Sequence, residues 1–157
     1  MRVFKCILIC IYVVFVICLT FLLLTFNKFS NSVIGNTIIA GIDYKIGNYN
    51  NGDLLIINKS KVNVNDDILF YDTKNGKNYI NIENVKSIKK GNDITYVIRD
   101  NEFLSNQYVI GTTETTFAIP FLGYLYLFFT SRIGYFIFVI IPIIVYFVLA
   151  LKRYKKS

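Results

Sequence analysis

Twenty-one consecutive residues, Cys6 to Phe26 (CILICIYVVFVICLTFLLLTF), contain no charged side chain. As a helix, a run of this length crosses a bilayer, which needs about 20 apolar residues. A cleavable signal peptide has a shorter apolar stretch, about 7–15 residues, ending at small residues. Here the run is longer and leads into NKFSNS, without an Ala-x-Ala pattern. The segment therefore reads as an uncleaved signal anchor.

A second apolar run, Ile133 to Leu151 (IGYFIFVIIPIIVYFVLAL), precedes the basic tail KRYKKS. Pro142 in its middle predicts a kink that a membrane helix tolerates. The stretch FAIPFLGYLYLFF before it is apolar but too short to span, and reads as strand and interfacial structure.

The formal charge of +7 suggests a polyanion partner until its distribution is read. Between Asn27 and Ser131 ten Lys/Arg balance ten Asp/Glu. The excess comes from Arg2, Lys5, Arg132, Lys152, Arg153, Lys155 and Lys156, and all but Arg132 flank the outer ends of the two apolar runs. This is the positive-inside pattern, which places both termini in the cytoplasm and the middle outside a plasma membrane. The basic balance reports topology and a lipid-bilayer partner, with no nucleic acid expected. The chain reads as a cytoplasmic N-terminus (1–5), a transmembrane anchor (6–26), an extracytoplasmic β domain (27–131, with an interfacial segment 117–129), a second transmembrane helix (132–151) and a basic cytoplasmic tail (152–157).

Cys6, Cys10 and Cys18 all fall in the first run, so the middle region has no disulfide framework or thiolate metal site. The chain has no histidine, which removes the commonest general base and a common zinc ligand. Asp53, Asp66 and Asp67 are candidate calcium ligands, but no spaced loop motif accompanies them. No cofactor is expected.

Between the apolar runs the pattern becomes short, β-branched and aromatic. Asp53–Asn58, Asp66–Asp72, Asn78–Ile88, Asp93–Asp100 and Tyr108–Ile119 read as strands separated by turn formers. Asn75-Gly76 and Gly91-Asn92 are the clearest turns, the first favouring left-handed geometry. The fold class expected is a mostly β outer domain, a small antiparallel barrel or sandwich, between two transmembrane helices.

The order of segments, an anchor, NGDLLIIN, VNVNDDILFYD, a middle β pair, VIG, IPFLGY and a C-terminal span, resembles type I signal peptidases of the endoplasmic-reticulum-like branch of Gram-positive bacteria and archaea. The resemblance covers about Asn36 to Ser131. Gly52, Asp53 and Leu54 match the strand after that family's Ser-Met-x-Pro nucleophile box, and Val64, Asp67 and Ile68 match the next strand. Val109, Ile110, Gly111, Ile119, Pro120, Leu122, Gly123 and Tyr124 match the closing segments. The positions that carry chemistry depart from the pattern. The nucleophile position falls on Tyr44, with Lys45 and Gly47 at the methionine and proline. The general-base position falls on Glu83. Asp100 and Asn101 match the family aspartate box, preceded by Arg99 instead of glycine.

The family's reaction is acyl transfer by an activated serine hydroxyl. A tyrosine phenol, titrating near 10, is bulky and fills the space a scissile peptide needs. Ser30, Ser32, Ser60, Ser87 and Ser105 do not stand at the nucleophile spacing. The resemblance therefore implies a catalytically silent relative that binds secretory precursors, surface proteins or an active signal peptidase at the membrane. An active serine peptidase using Ser60, Ser87 or Ser105 with a lysine or Glu83 is the alternative. A tethered β domain without a groove is the third.

Overall fold

A computed structural model describes residues 2–27, 29, 31–74, 76–91, 93–99 and 102–154. The expectations for Ser30, Asn75, Asn92, Asp100, Asn101, Lys155 and Lys156 lie outside the described residues. The chain divides into two compact units, residues 1–24 with 125–157, and residues 25–124.

The first unit is helical. Helix α1 runs Arg2–Leu24, and its Cys6–Leu24 portion is long and apolar enough to cross a membrane. So is Arg132–Lys152, built from α3 (Arg132–Tyr135), a π-helical turn (Phe136–Ile140) and α4 (Ile141–Tyr154). Only 6% and 11% of the apolar windows are buried, unlike the core helices of a water-soluble protein. The wide turn falls just before Pro142, whose missing N–H and bulky ring interrupt the α-helical pattern. Phe129, in the short helix Leu122–Thr130, bridges the two long helices with edge-on rings, 5.6 Å from Phe15 and 5.1 Å from Phe138 between centroids. The three cysteines are free and exposed along α1. Helix α2 (Leu122–Thr130) precedes this second long helix, where the sequence suggested strand and interfacial structure.

Among the described residues the second unit contains ten short strands in three antiparallel sheets. The first sheet has the order β1-β2-β3-β10, from Asn31–Ile34, Thr37–Gly41, Leu54–Asn58 and Thr116–Ile119. The second is β5-β4-β9, from Lys77–Asn84, Asp67–Lys74 and Val109–Thr112. The third is β6-β7-β8, from Ser87–Lys90, Ile94–Val97 and Phe103–Ser105. None of these sheets closes into a barrel among the described residues. The mostly antiparallel β region between two apolar helices is the layout the sequence suggested, without the closed barrel.

The second sheet carries apolar residues on both faces, where a different core packs on each. Leu69, Ile80 and Ile110 join Ile38, Ala40, Leu55 and Ile57 of the first sheet in one cluster. Ile68, Phe70 and Val109 join Tyr96, Val85 and Ile98 in the other. Alternate residues of β4 thus serve opposite cores, as the two-residue period of a strand requires.

Two expected strands prove to be pairs. Asn78–Ile88 breaks at Val85-Lys86 into β5 and β6, and Tyr108–Ile119 breaks at the 3-10 turn Thr113–Thr115 into β9 and β10. Strands β1, β2 and β8 were not anticipated. Gly76, between β4 and β5, has φ +74°.

Candidate functional site

The segment between β2 and β3 positions Tyr44. Its hydroxyl accepts a hydrogen bond from the Ile80 N–H at 2.6 Å and donates to the Ile80 carbonyl at 3.1 Å. Strand β5 is the free edge of the second sheet, and Ile80 turns both backbone groups away from β4. One phenol therefore satisfies the ladder groups that a further strand would use. The next outward N–H, that of Ile82, bonds to Oδ1 of Asn81 at 2.9 Å. Edge strands blunted in this way resist pairing with another chain.

Tyr44 packs against the first core and meets Tyr79 edge-on at 6.2 Å between centroids. Burial pushes its pKa up from 10 to about 12, the Asp43 carboxylate adding to the rise and the Ile80 hydrogen bond opposing it.

Glu83 lies on the other face of β5. It stands opposite Ile68 in register and shares its face with Tyr79 and Asn81, whereas Ile80 and Ile82 turn toward the first core. Its carboxylate forms an ion pair with Arg99, the residue in place of glycine before the expected aspartate. The structure thus does not bring the nucleophile and base positions together. Asp100 lies outside the described residues.

Around Glu83 is a broad depression of about 840 Å³, lined among others by Tyr79, Asn81, Arg99, Glu102 and Ser105. In it the Tyr79 hydroxyl donates to Asp72 at 2.7 Å, and this bond raises the Tyr79 pKa. Ser105 lines the same depression, but Glu83 is taken up by Arg99.

The remaining serines are separated. Ser60 lies 3.2 Å from the Thr112 hydroxyl and 3.3 Å from that of Thr115, which itself donates to the Asn58 carbonyl at 2.8 Å. Lys59 and Ser60 line one small cavity of about 170 Å³. Ser87 is exposed on β6, and Ser32 is buried in β1.

The candidate calcium ligands serve local structure. Asp53 accepts the Asn50 N–H at 2.8 Å, Asp66 accepts the Asn63 N–H at 2.7 Å, and Asp67 accepts the Asn84 side-chain amide at 2.9 Å. Among the described residues no three His, Cys, Asp or Glu side chains converge on a metal position.

The segments that carried the resemblance touch one another. Gly123 donates its N–H to the Gly52 carbonyl at 2.9 Å, and the Tyr124 ring lies where a side chain on Gly52 would stand. Gly52 has φ +89°, a conformation that glycine alone adopts without cost. What the sequence could not reveal is the partner of Tyr44. That partner is main chain, so residue type carries no signal for it.

Family models, curated proteins and solved structures were all compared with the chain, and none matches it.

Proposed function

We propose that the chain is a catalytically silent, signal-peptidase-like membrane protein that binds or assists secreted and surface proteins. In this reading both termini are cytoplasmic and the β unit faces outward, following the basic residues at the outer ends of the two spans. The observation that carries it is the double hydrogen bond of Tyr44 to Ile80. At the position where the resemblance puts a nucleophile, this chain holds a neutral phenol locked onto a strand edge. The ion pair of Glu83 with Arg99 supports the same reading, because a carboxylate neutralised by a guanidinium is a poor proton acceptor. Binding without processing needs only surface and main-chain contacts.

The runner-up is a serine peptidase with a non-standard nucleophile. The shared Lys59–Ser60 cavity and the depression common to Ser105 and Glu83 support it, and the engagement of Ser60 with two threonine hydroxyls and of Glu83 with Arg99 weighs against it.

The test mixes the purified full chain in detergent with a secretory precursor, beside a genuine signal peptidase as control. Saturable binding without cleavage is expected. Cleavage at the signal junction, abolished by Ser60→Ala, Ser87→Ala or Ser105→Ala, would establish the peptidase instead. Neither binding nor cleavage would leave a tethered β domain without a groove.

A further inference from the structure

The second core covers its face of the second sheet unequally. Ile68, Phe70 and Val109 of β4 and β9 are buried there against Tyr96 and Ile98. On the same face of β5, Tyr79, Asn81 and Glu83 are only half-buried. They open into the depression of about 840 Å³, whose lining also includes the exposed rings of Phe103 and Tyr108. Among its described lining residues Asp72, Glu83 and Glu102 are acidic and Arg99 alone is basic. The stretch between the two apolar runs is otherwise balanced, ten basic residues against ten acidic, so the excess of carboxylates here is local. Two of the chain's own cations already sit on this lining. Lys89 Nζ lies 4.4 Å from the centroid of the Phe103 ring, and Arg99 pairs with Glu83. The Glu83 side chain is 16% exposed and that of Arg99 64%, so a recessed carboxylate is capped by an exposed guanidinium.

We propose that this depression binds an arginine-bearing peptide segment of a partner protein, one arginine of which takes the place of Arg99 on Glu83. Charge complementarity selects the occupant, because three carboxylates face one resident cation. The exchange costs little. An ion pair whose basic half stands in water is held weakly, and Arg99 returns to water when displaced. Glu83, drawn further out of water, keeps a cationic partner throughout, as a recessed charge requires. A guanidinium suits the place better than an ammonium. It is planar, weakly hydrated and stacks on aromatic faces such as those of Phe103 and Tyr108. The volume falls within the range of ligand sites, about 300–1,000 Å³. The inference deepens the proposed binding role and rests on it only in taking the partner to be a secreted or surface protein.

The test uses the full chain in non-ionic detergent and a fluorescent, acetylated and amidated peptide of alternating glycine and arginine. The same peptide with citrulline for arginine is its neutral counterpart. Fluorescence anisotropy should show saturable binding of the arginine peptide and at least about tenfold weaker binding of the citrulline peptide, which lacks the charge-assisted bond. Arg99→Gln frees Glu83 and should tighten binding of the arginine peptide about tenfold. Glu83→Gln should weaken it, and should cancel the gain when combined with Arg99→Gln. Lys61→Gln removes an exposed cation that does not line the depression and should change nothing. Because Arg99 is exposed, its variant keeps the test standing if Glu83→Gln fails to fold. Equal binding of the two peptides, or an affinity indifferent to both Arg99 and Glu83, overturns the inference. So does binding of neutral maltohexaose in place of the peptide, which would assign the aromatic lining to a sugar. Saturable binding of a secretory precursor without binding of the arginine peptide overturns this inference alone. Peptide binding without precursor binding keeps the depression as a site and removes the proposed role.

Discussion

The Tyr12 hydroxyl donates to the Phe138 carbonyl at 3.0 Å, with the Val139 carbonyl 3.3 Å away. In an α-helix the Phe138 carbonyl would be served by the N–H of residue 142, and Pro142 has none. A side chain of the first apolar helix thus supplies a donor that the second lacks. Removing the hydroxyl with Tyr12→Phe should destabilise the helical unit by about 0.5–1.5 kcal/mol, the range of interhelical hydrogen bonds in membranes. With Pro142→Ala, residue 142 regains an N–H and the same change should cost less. Denaturation of the four variants in mixed detergent micelles measures the coupling. Equal costs with and without Pro142 would mean that the tyrosine does not compensate the proline.

A second prediction concerns the clamp between the residues before β3 and those after β10. A Cβ on Gly123 would collide with the Asp53 carbonyl oxygen, which is main chain and cannot move aside. A Cβ on Gly52 would collide with the Tyr124 ring, which can rotate away, leaving the cost of φ +89°. Gly123→Ala should therefore destabilise the β unit more than Gly52→Ala, and Gly52→Ala by at least about 1 kcal/mol. Thermal unfolding of the two variants gives the order. A reversed order would show that the ring, not the carbonyl, is the rigid partner.

The parts of this fold legible in the sequence were those fixed by local pattern. Two long uncharged runs gave two long helices, and β-branched runs such as LLIIN gave strands. Of the missed strands β1 and β8 were short or uncharacteristic, whereas TIIAG carried a β-branched signal. NSVI opens on two polar residues that the structure buries, and FLS has only three residues. The split of Asn78–Ile88 was hidden because Val85 is apolar and fully buried although it lies between strands. The candidate site was legible only as positions. Which face of β5 each position serves depends on a sheet partner distant in the chain, so the separation of Tyr44 from Glu83 had no local signal. The apolar runs within TIIAG and LLIIN end at Thr37 and Asn58, which pair across the two strands.

Restoring the family's residue types should not restore a protease. Tyr44→Ser combined with Glu83→His would place a hydroxyl and an imidazole at the matched positions. Tyr44 meets β5 at its edge beside the Ile80 backbone, whereas Glu83 projects from a face three residues along, and general-base catalysis needs hydrogen-bond reach, about 2.6–3.2 Å. The expected outcome is no cleavage of a secretory precursor, and lowered stability, because the Ile80 N–H and carbonyl lose their partner. Leaving such a group unpaired costs about 1–3 kcal/mol. Measurable cleavage by the double variant would show that the two positions communicate.

Alkaline stability gives the most direct reading of the Tyr44 contact. The phenol has a pKa near 10 in an unfolded chain and about 12 in the fold. Between these values the folded state keeps a proton that the unfolded state has lost. The contribution of Tyr44 is therefore fully present below pH 10 and disappears as pH rises toward 12. Tyr49 and Tyr96, raised by burial, and Tyr79, raised chiefly by its bond to Asp72, add to the same slope. Tyr44→Phe should lower stability at neutral pH, because the Ile80 backbone loses its partner. It should also flatten the decline between pH 10 and 12, and groups remote from Tyr44, such as Tyr96, cancel in the comparison with the parent chain. Denaturant midpoints measured across that range decide it. Parallel curves for parent and variant would mean that the phenol is not held against Ile80, and the argument for a closed strand edge would fall with it.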